Sequence, residues 1–393
     1  MRSQVKILSK DRQFPSSFRS GISLHSHTKH SRESLAFIAG MVRKQRLLGA
    51  YIERRERHCR NETGIVVNLD RAYWTPPLNG PRAHDLEKRQ IESLGLRAMV
   101  SLSDHDNIDA PVLLRSDSPT RDTPISVEWT VPFGQSKFHL GVHNLPPGQA
   151  QELMTRMRGC TALHDDEVAC EMIAELNSLP AVLVVFNHPV WNLYVLPAAT
   201  FQYELDRFLQ KTNRFLDAFE LNGLRSRQEN QRVADLATKW NQVLISGGDR
   251  HGCEPNANIN LTDADDFDEF VSEVRTERRS TVLFMPQYEE PMVLRLFQNF
   301  LDIIRDYPEF DEGERKWDER TFHPNQGGQV LPVCALWPNG TPSFFRKLFG
   351  VVSLMEHRQL QETMRSLIPG DRNELFLATE SSDRTELSPA WSD

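Results

Sequence analysis

The sequence predicts an α/β protein whose strands form a parallel sheet closed, or nearly closed, into a barrel. Three observations predict it. Short apolar and β-branched runs recur along the first two thirds of the chain, segments with helical spacing separate several of them, and histidines or carboxylates stand at the ends of most of the runs. Strand, helix, strand in repeated order favours a parallel α/β architecture. Seven such runs within about 225 residues fit one barrel better than two small sheets.

Residues 1–20, MRSQVKILSKDRQFPSSFRS, are basic and polar and lack the apolar stretch of a secretory signal. They are expected to form an N-terminal extension of a cytoplasmic protein. The barrel region is expected over residues 21–285, with strands at 22–24, 98–102, 125–127, 138–142, 181–186, 218–221 and 243–245. Helical spacing recurs at 82–94, 167–176, 203–215 and 231–240. Residues 33–97 break this rhythm with a long charged helix candidate through residue 60 and an irregular stretch containing TPPLNGP, and are expected to be an insertion at the barrel rim. Beyond about residue 260 the composition changes. DADDFDEFVSEVRTERRS reads as a charged helix, 293–304 is apolar at helical spacing, and 306–328 is polar, so 286–380 is expected to be a mostly helical extension. The tail at 381–393, SSDRTELSPAWSD, has too few apolar residues to fold and is expected to be disordered.

A chain of 393 residues can bury a sizeable core, and 39% hydrophobic with 25% charged residues is a globular composition. The formal net charge of -8 gives no electrostatic reason for tight, sequence-independent nucleic-acid binding, so nucleic acid enters only as a candidate substrate. The five cysteines are scattered without a CxxC pair, which suggests neither a disulfide framework nor a cysteine zinc site. They read as reduced thiols. Nowhere is there an apolar run near the roughly 18 residues needed to cross a bilayer, so no membrane partner is expected. The oligomeric state is not readable.

The chemistry lies at the carboxyl ends of these runs. After the first comes His25-Ser26-His27, and alternate strand residues share a face, so both imidazoles can turn to one point. A surface or core pair is the bland alternative. After the second comes Ser103-Asp104-His105-Asp106, where carboxylates could bind metal, orient a histidine or cap the next helix. The third delivers Glu128, the fourth His139 with His143 four residues on, and the fifth ends in Asn187-His188-Pro189. The seventh ends in SGGDRHG, where Gly247 and Gly248 let the backbone pass close to a crowded centre, and Asp249-Arg250-His251 repeats the alternate-residue geometry. In α/β barrels the carboxyl ends of the strands form one face, so these residues should converge. An imidazole and carboxylate set selects zinc, manganese or iron over calcium.

In this order, HSHT, SDHD, Glu128, His139, NHP and SGGDRHG resemble the motifs of the polymerase-and-histidinol-phosphatase (PHP) family, over roughly residues 21–285. The resemblance implies a distorted (β/α)7 barrel with a centre of two or three divalent metal ions, and phosphoester hydrolysis as the activity. It implies that His25, His27, Glu128 and Asp249 hold one metal, that Glu128 bridges to a second held by His139 and His188, and that His105 and His251 hold a third. One departure stands out. Where the family usually has an aspartate or histidine completing the third site, HSHTKHSRE places Arg32. Glu33 or His30 could take that role, or the centre could hold two metals with Arg32 contacting a phosphate. Arg250, where a small residue is usual, and Arg225 after ELNG could add positive charge for substrate; solvated arginines are the alternative.

The expected reaction is in-line attack on phosphorus by a metal-bridging hydroxide, with Asp104 or Asp106 relaying a proton. The substrate would be a small phosphorylated metabolite or nucleotide. Hydrolysis of a C–N bond by an amidohydrolase-type reaction is the alternative among enzymes, and an inactive barrel used for binding or regulation is the alternative outside them. Trp129, Phe133 and Trp191 could stack a base or sugar, or simply pack.

Overall fold

The structure, a computed structural model, describes residues 2–35, 71–193, 195–324 and 328–336, with isolated residues between 50 and 66. Most of the expected rim helix, the extension beyond 336 and the tail at 381–393 lie outside the described residues. The strands are β1 (Arg2–Ile7), β2 (Ser20–Ser26), β3 (Glu33–Ser34), β4 (Tyr73–Trp74), β5 (Arg97–Leu102), β6 (Val127–Phe133), β7 (Ser136–His143), β8 (Leu183–Asn187), β9 (Ala218–Asn222), β10 (Val243–Gly247), β11 (Asn258–Thr262), β12 (Arg279–Phe284), β13 (Thr321–Pro324) and β14 (Val330–Pro332). The helices are α1 (Gly80–Glu92), α2 (Asp109–Leu114), α3 (Ala150–Leu163), α4 (Asp166–Ser178), α5 (Ala198–Thr212), α6 (Arg227–Trp240), α7 (Phe267–Arg275) and α8 (Met292–Ile304).

The architecture is mixed α/β, with two five-stranded sheets, β1-β12-β11-β2-β5 and β10-β9-β8-β7-β6, and a four-stranded sheet, β14-β13-β4-β3. Pairing is not parallel throughout. Only Gly134 and Gln135 separate β6 from β7, too short for a crossover helix, so the two form an antiparallel hairpin with Gly134 at φ 54°. β7 also runs antiparallel to β8, whereas β8, β9 and β10 are parallel. The two large sheets touch through isolated parallel bridges, Ser26 of β2 with Arg250 and His105 with Glu128.

Helices cover the outer faces. Ser226 and Glu229 form a reciprocal cap on α6, and Asn79, Asp165 and Asp266 each accept a backbone N–H at the start of α1, α4 and α7. The larger core packs Trp129, Phe138, Phe186 and Phe219 against Met157, Ile173 and Phe208 of these helices. A second core joins Ile22 and Leu24 of β2 to Leu183, Val185 and Ile245 of β8 and β10, so the sheets also pack face to face. Among the described residues no helix is long and apolar enough to cross a membrane.

Candidate metal centre

His25 lies at the end of β2 and His27 just beyond it, and both are buried. Alternation along the strand is broken at His25, whose φ of 61° is in the left-handed region. Asp106, His188 and Asp249 are also left-handed, at φ 49°, 31° and 55°. Such backbone is held only where surroundings over-determine it, and here it gathers at the strand ends that carry the candidate residues.

Glu128 lies at the centre. Its Oε2 is 3.0 Å from His25 Nε2, 3.2 Å from His27 Nε2 and 3.3 Å from His105 Nε2. Its Oε1 is 3.3 Å from His139 Nδ1 and 3.0 Å from His188 Nε2, and accepts Asn187 Nδ2 at 3.0 Å. Asp249 Oδ1 closes the group, 3.4 Å from His27 Nε2 and 3.7 Å from His25 Nε2. His25, His27, Glu128 and Asp249 thus bring ligand atoms within 4.8 Å of one another, as do His105, Glu128 and His139.

Tautomers follow from the other ring atoms. His25 Nδ1 donates to Glu220 Oε1 at 2.5 Å, which leaves the Nε2 lone pair facing Glu128 and Asp249. The second Glu220 oxygen accepts the His188 backbone N–H at 2.6 Å, so one carboxylate positions two histidines. Burial works against charge on His25, yet Glu128 and Glu220 raise its pKa well above the ordinary value. Burial likewise opposes ionisation of Glu128 and Asp249, and the surrounding imidazoles hold both well below the usual carboxylate range. Negative carboxylates beside paired imidazoles are a setting in which a cation can replace protons.

Fit to a metal can be judged from atoms left over. The buried His25 Nε2, His27 Nε2, Glu128 Oε2 and His139 Nδ1 have no hydrogen-bond partner, and all four belong to the cluster. Buried polar groups are rarely left unsatisfied, and three imidazole nitrogens around one carboxylate, with an oxygen of that carboxylate, are what a cation would satisfy. The donor set fits divalent metal.

The remaining sequence-predicted residues are placed differently. Asp104 is committed to the HxH loop: its Oδ1 accepts Thr28 N–H at 2.5 Å and its Oδ2 accepts the Thr28 hydroxyl at 2.7 Å. Asp106 accepts Thr130 N–H at 2.9 Å. Both aspartates therefore hold backbone beside the cluster. Arg250 is buried, donating to Glu87 at 2.9 Å, to the Gly252 carbonyl at 2.8 Å and to the His27 carbonyl at 3.1 Å. It ties two loops together. Arg32 is exposed, its guanidinium 5.3 Å from the Tyr73 ring centre. Arg225 does reach the centre, 3.3 Å from Asp249 Oδ2 and 4.0 Å from the Trp191 ring centre. His30 lies beside Asp109 at 4.0 Å, whereas Glu33 is at the cluster.

Trp191 packs edge-on to His188 at 5.0 Å, but Trp129 and Phe133 are core residues. Glu220 and Glu87 were not legible as site residues, since a lone Glu in an apolar run or on a helix carries no spacing signal. SGGDRHG was legible as a close approach: a Cβ at Gly247 would overlap the Glu220 carboxylate, and one at Gly248 the Asn256 amide.

Fold and site together define a mixed α/β protein with a buried histidine and carboxylate group able to hold divalent metal. No family model matches the chain, and no curated protein matches it in sequence. Solved structures it resembles include one assigned provisionally as a metal-dependent phosphoesterase from Bifidobacterium adolescentis, at 15% identity and TM-score 0.31, covering 51% of this chain and 91% of that one. Another is an amidohydrolase from Chromobacterium violaceum, at 13% identity and TM-score 0.32, covering 59% and 88%. A third is PsfC from Pseudomonas syringae, at 13% identity and TM-score 0.37, covering 72% and 99%. Likenesses this slight leave function to the geometry of the site itself.

Proposed function

We propose that the chain is a PHP-type metallohydrolase that cleaves phosphoester bonds of a small phosphorylated metabolite or nucleotide. The observation that carries this reading is the convergence of His25 Nε2, His27 Nε2 and Glu128 Oε2, all buried and without hydrogen-bond partners. In this reading the two large sheets form a distorted (β/α)7 barrel opened along its edges, supported by the bridges at Ser26–Arg250 and His105–Glu128. The barrel spans 21–285 with its insertion at 33–97, flanked by an extension at 1–20, a C-terminal piece at 286–380 and a tail, in a cytoplasmic enzyme.

His25, His27, Glu128 and Asp249 would hold one ion, and Glu128 with His139 and His188 a second, chosen among zinc, manganese and iron. Bound there, the ions would supply Lewis acidity and a water of lowered pKa. The chain's own residues do the rest. Glu220 keeps His25 in the tautomer that presents Nε2, Asn187 orients Glu128, and Trp191 walls the site beside His188. Arg225 offers a guanidinium at the rim, held over Trp191, where it can donate to phosphoryl oxygens. That cation favours a phosphoester over a neutral C–N substrate.

The test is hydrolysis of nitrophenyl phosphate and bis-nitrophenyl phosphate by the full chain with manganese. The native chain should turn over at least one, and His27→Ala and Asp249→Ala should abolish turnover with the fold intact. Full activity in either variant contradicts the reading, and hydrolysis of amides alone would assign the C–N alternative.

A further inference from the structure

The two oxygens of Glu128 face different neighbours. Oε2 meets His25, His27 and His105, and past His105 stand Glu33 and His251, 3.3 Å apart. Oε1 meets His139 and His188, and there a cavity of about 190 Å³ opens against both imidazoles. Phe186, Trp191 and Leu193 give it apolar wall, and Lys137 reaches it from β7. This is space that the rest of a substrate can occupy once its phosphoryl group is at the Glu128 cluster.

The strand that carries His139 also places Lys137. Side chains two apart on a strand share a face, so Lys137 and His139 leave β7 on the same side, their Cα atoms about 7 Å apart. Pairing with β6 fixes the register, Lys137 opposite Pro132 and His139 opposite Thr130. Lys137 is half-buried, whereas every other residue of β7 is buried. A lysine in such a position packs its stem on apolar wall and keeps its ammonium toward the opening.

Charge in the cavity is one-sided. Among the described residues that line it, none is Asp or Glu, and Lys137 alone is Lys or Arg. The other cation nearby, Arg225, lies 4.0 Å from the Trp191 ring centre and is turned to Asp249 at 3.3 Å, so it serves the metal end. Low-dielectric walls around one sign of charge focus its field, and an ammonium holds phosphate or carboxylate as a point charge.

We propose that this cavity receives a second anionic group of the substrate, held by Lys137, so that the chain selects phosphoesters bearing another phosphate or a carboxylate a few bonds from the scissile one. The proposal rests on the phosphoesterase reading and narrows its substrate class. Lys137 is a specificity residue in this account, and it lies outside every motif that marks the metal centre.

The experiment measures binding of non-hydrolysable ligands that share one phosphonate and differ at the far end: propylphosphonate, 3-phosphonopropionate and propane-1,3-bisphosphonate, with their four-carbon homologues. Each is titrated calorimetrically into the Mn2+-loaded full chain, with thermal unfolding as the check on folding. The readout is the ratio of affinities between anion-ended and alkyl-ended ligands, because a general disturbance of the centre weakens both alike. The native chain should favour at least one anion-ended ligand about tenfold or more, the scale of one charge-assisted hydrogen bond. Lys137→Gln should bring that ratio close to one, and Lys137→Arg, which keeps the charge, should restore most of it. Preference for the bisphosphonate assigns a second phosphate, and preference for the carboxylate assigns an acid. A native ratio near one, or a ratio unchanged in Lys137→Gln, would overturn the subsite, and hydrolysis of nitrophenyl phosphate beside that result would leave the phosphoesterase reading standing. A ratio that depends on Lys137 without hydrolysis of the matching phosphate esters would overturn that reading and keep the subsite. Failure of every ligand to bind would overturn both.

Discussion

Glu220 shows how one side chain can decide whether a histidine is a ligand. Its carboxylate accepts hydrogen bonds from His25 Nδ1–H and from the backbone N–H of His188. Glu220→Gln keeps the size but offers a neutral acceptor, so metal affinity measured by titration should fall about 10–100-fold while the fold survives. Arg250 is the converse case. It neutralises the fully buried Glu87, and Arg250→Met would strand that carboxylate, at a cost of about 3–5 kcal/mol in denaturant unfolding. His143 adds a pH dependence. Burial pushes its imidazole from 6.5 down to about 3. Its folded pKa lies below its unfolded value, so its contribution to stability is present above pH 6.5 and lost as pH falls toward 3. His143→Gln should therefore flatten the acid side of the stability profile. At this scale the histidines and Glu128 were legible because HxH, NHP and DRH stand at strand ends, while Glu220 and Glu87 were hidden as single acids in apolar or helical surroundings.

At the scale of elements, the expected runs at 98–102, 138–142, 218–221 and 243–245 fall inside β5, β7, β9 and β10, because apolar β-branched residues mark strands buried on both faces. The expectation at 125–127 caught only the start of β6. β11 escaped notice because NINLT alternates polar residues inward. Its Asn258 donates to the Leu221 carbonyl and its Asn260 to Ser246, both at 2.6 Å, so the amides stitch β11 to neighbouring strands. Isolated asparagines otherwise signal turns. β3, β4 and β13 were illegible for a plainer reason: each is two to four residues long and exists only through pairing across the chain. Gly247 is the tightest joint, where β10 crosses Glu220. Gly247→Ala should cost about 1–3 kcal/mol by overpacking and weaken metal binding with it, as unfolding and titration on one preparation would show.

For the whole molecule, residues more than two hundred positions apart meet because the carboxyl ends of β2, β5, β8 and β10 and the start of β6 lie on one side, where the two large sheets touch. A cation bound among them would bind the folded chain and not the unfolded one. Removing it with a chelator should lower the unfolding temperature, and at a hundredfold excess over Kd restoring it should return about 2.7 kcal/mol. The most direct measurement of the central claim is anomalous diffraction from crystals grown with manganese or zinc. The account predicts a peak within coordination distance of His25 Nε2, His27 Nε2, Glu128 and Asp249. A clean map with no peak there, or with metal only on surface residues, would contradict it.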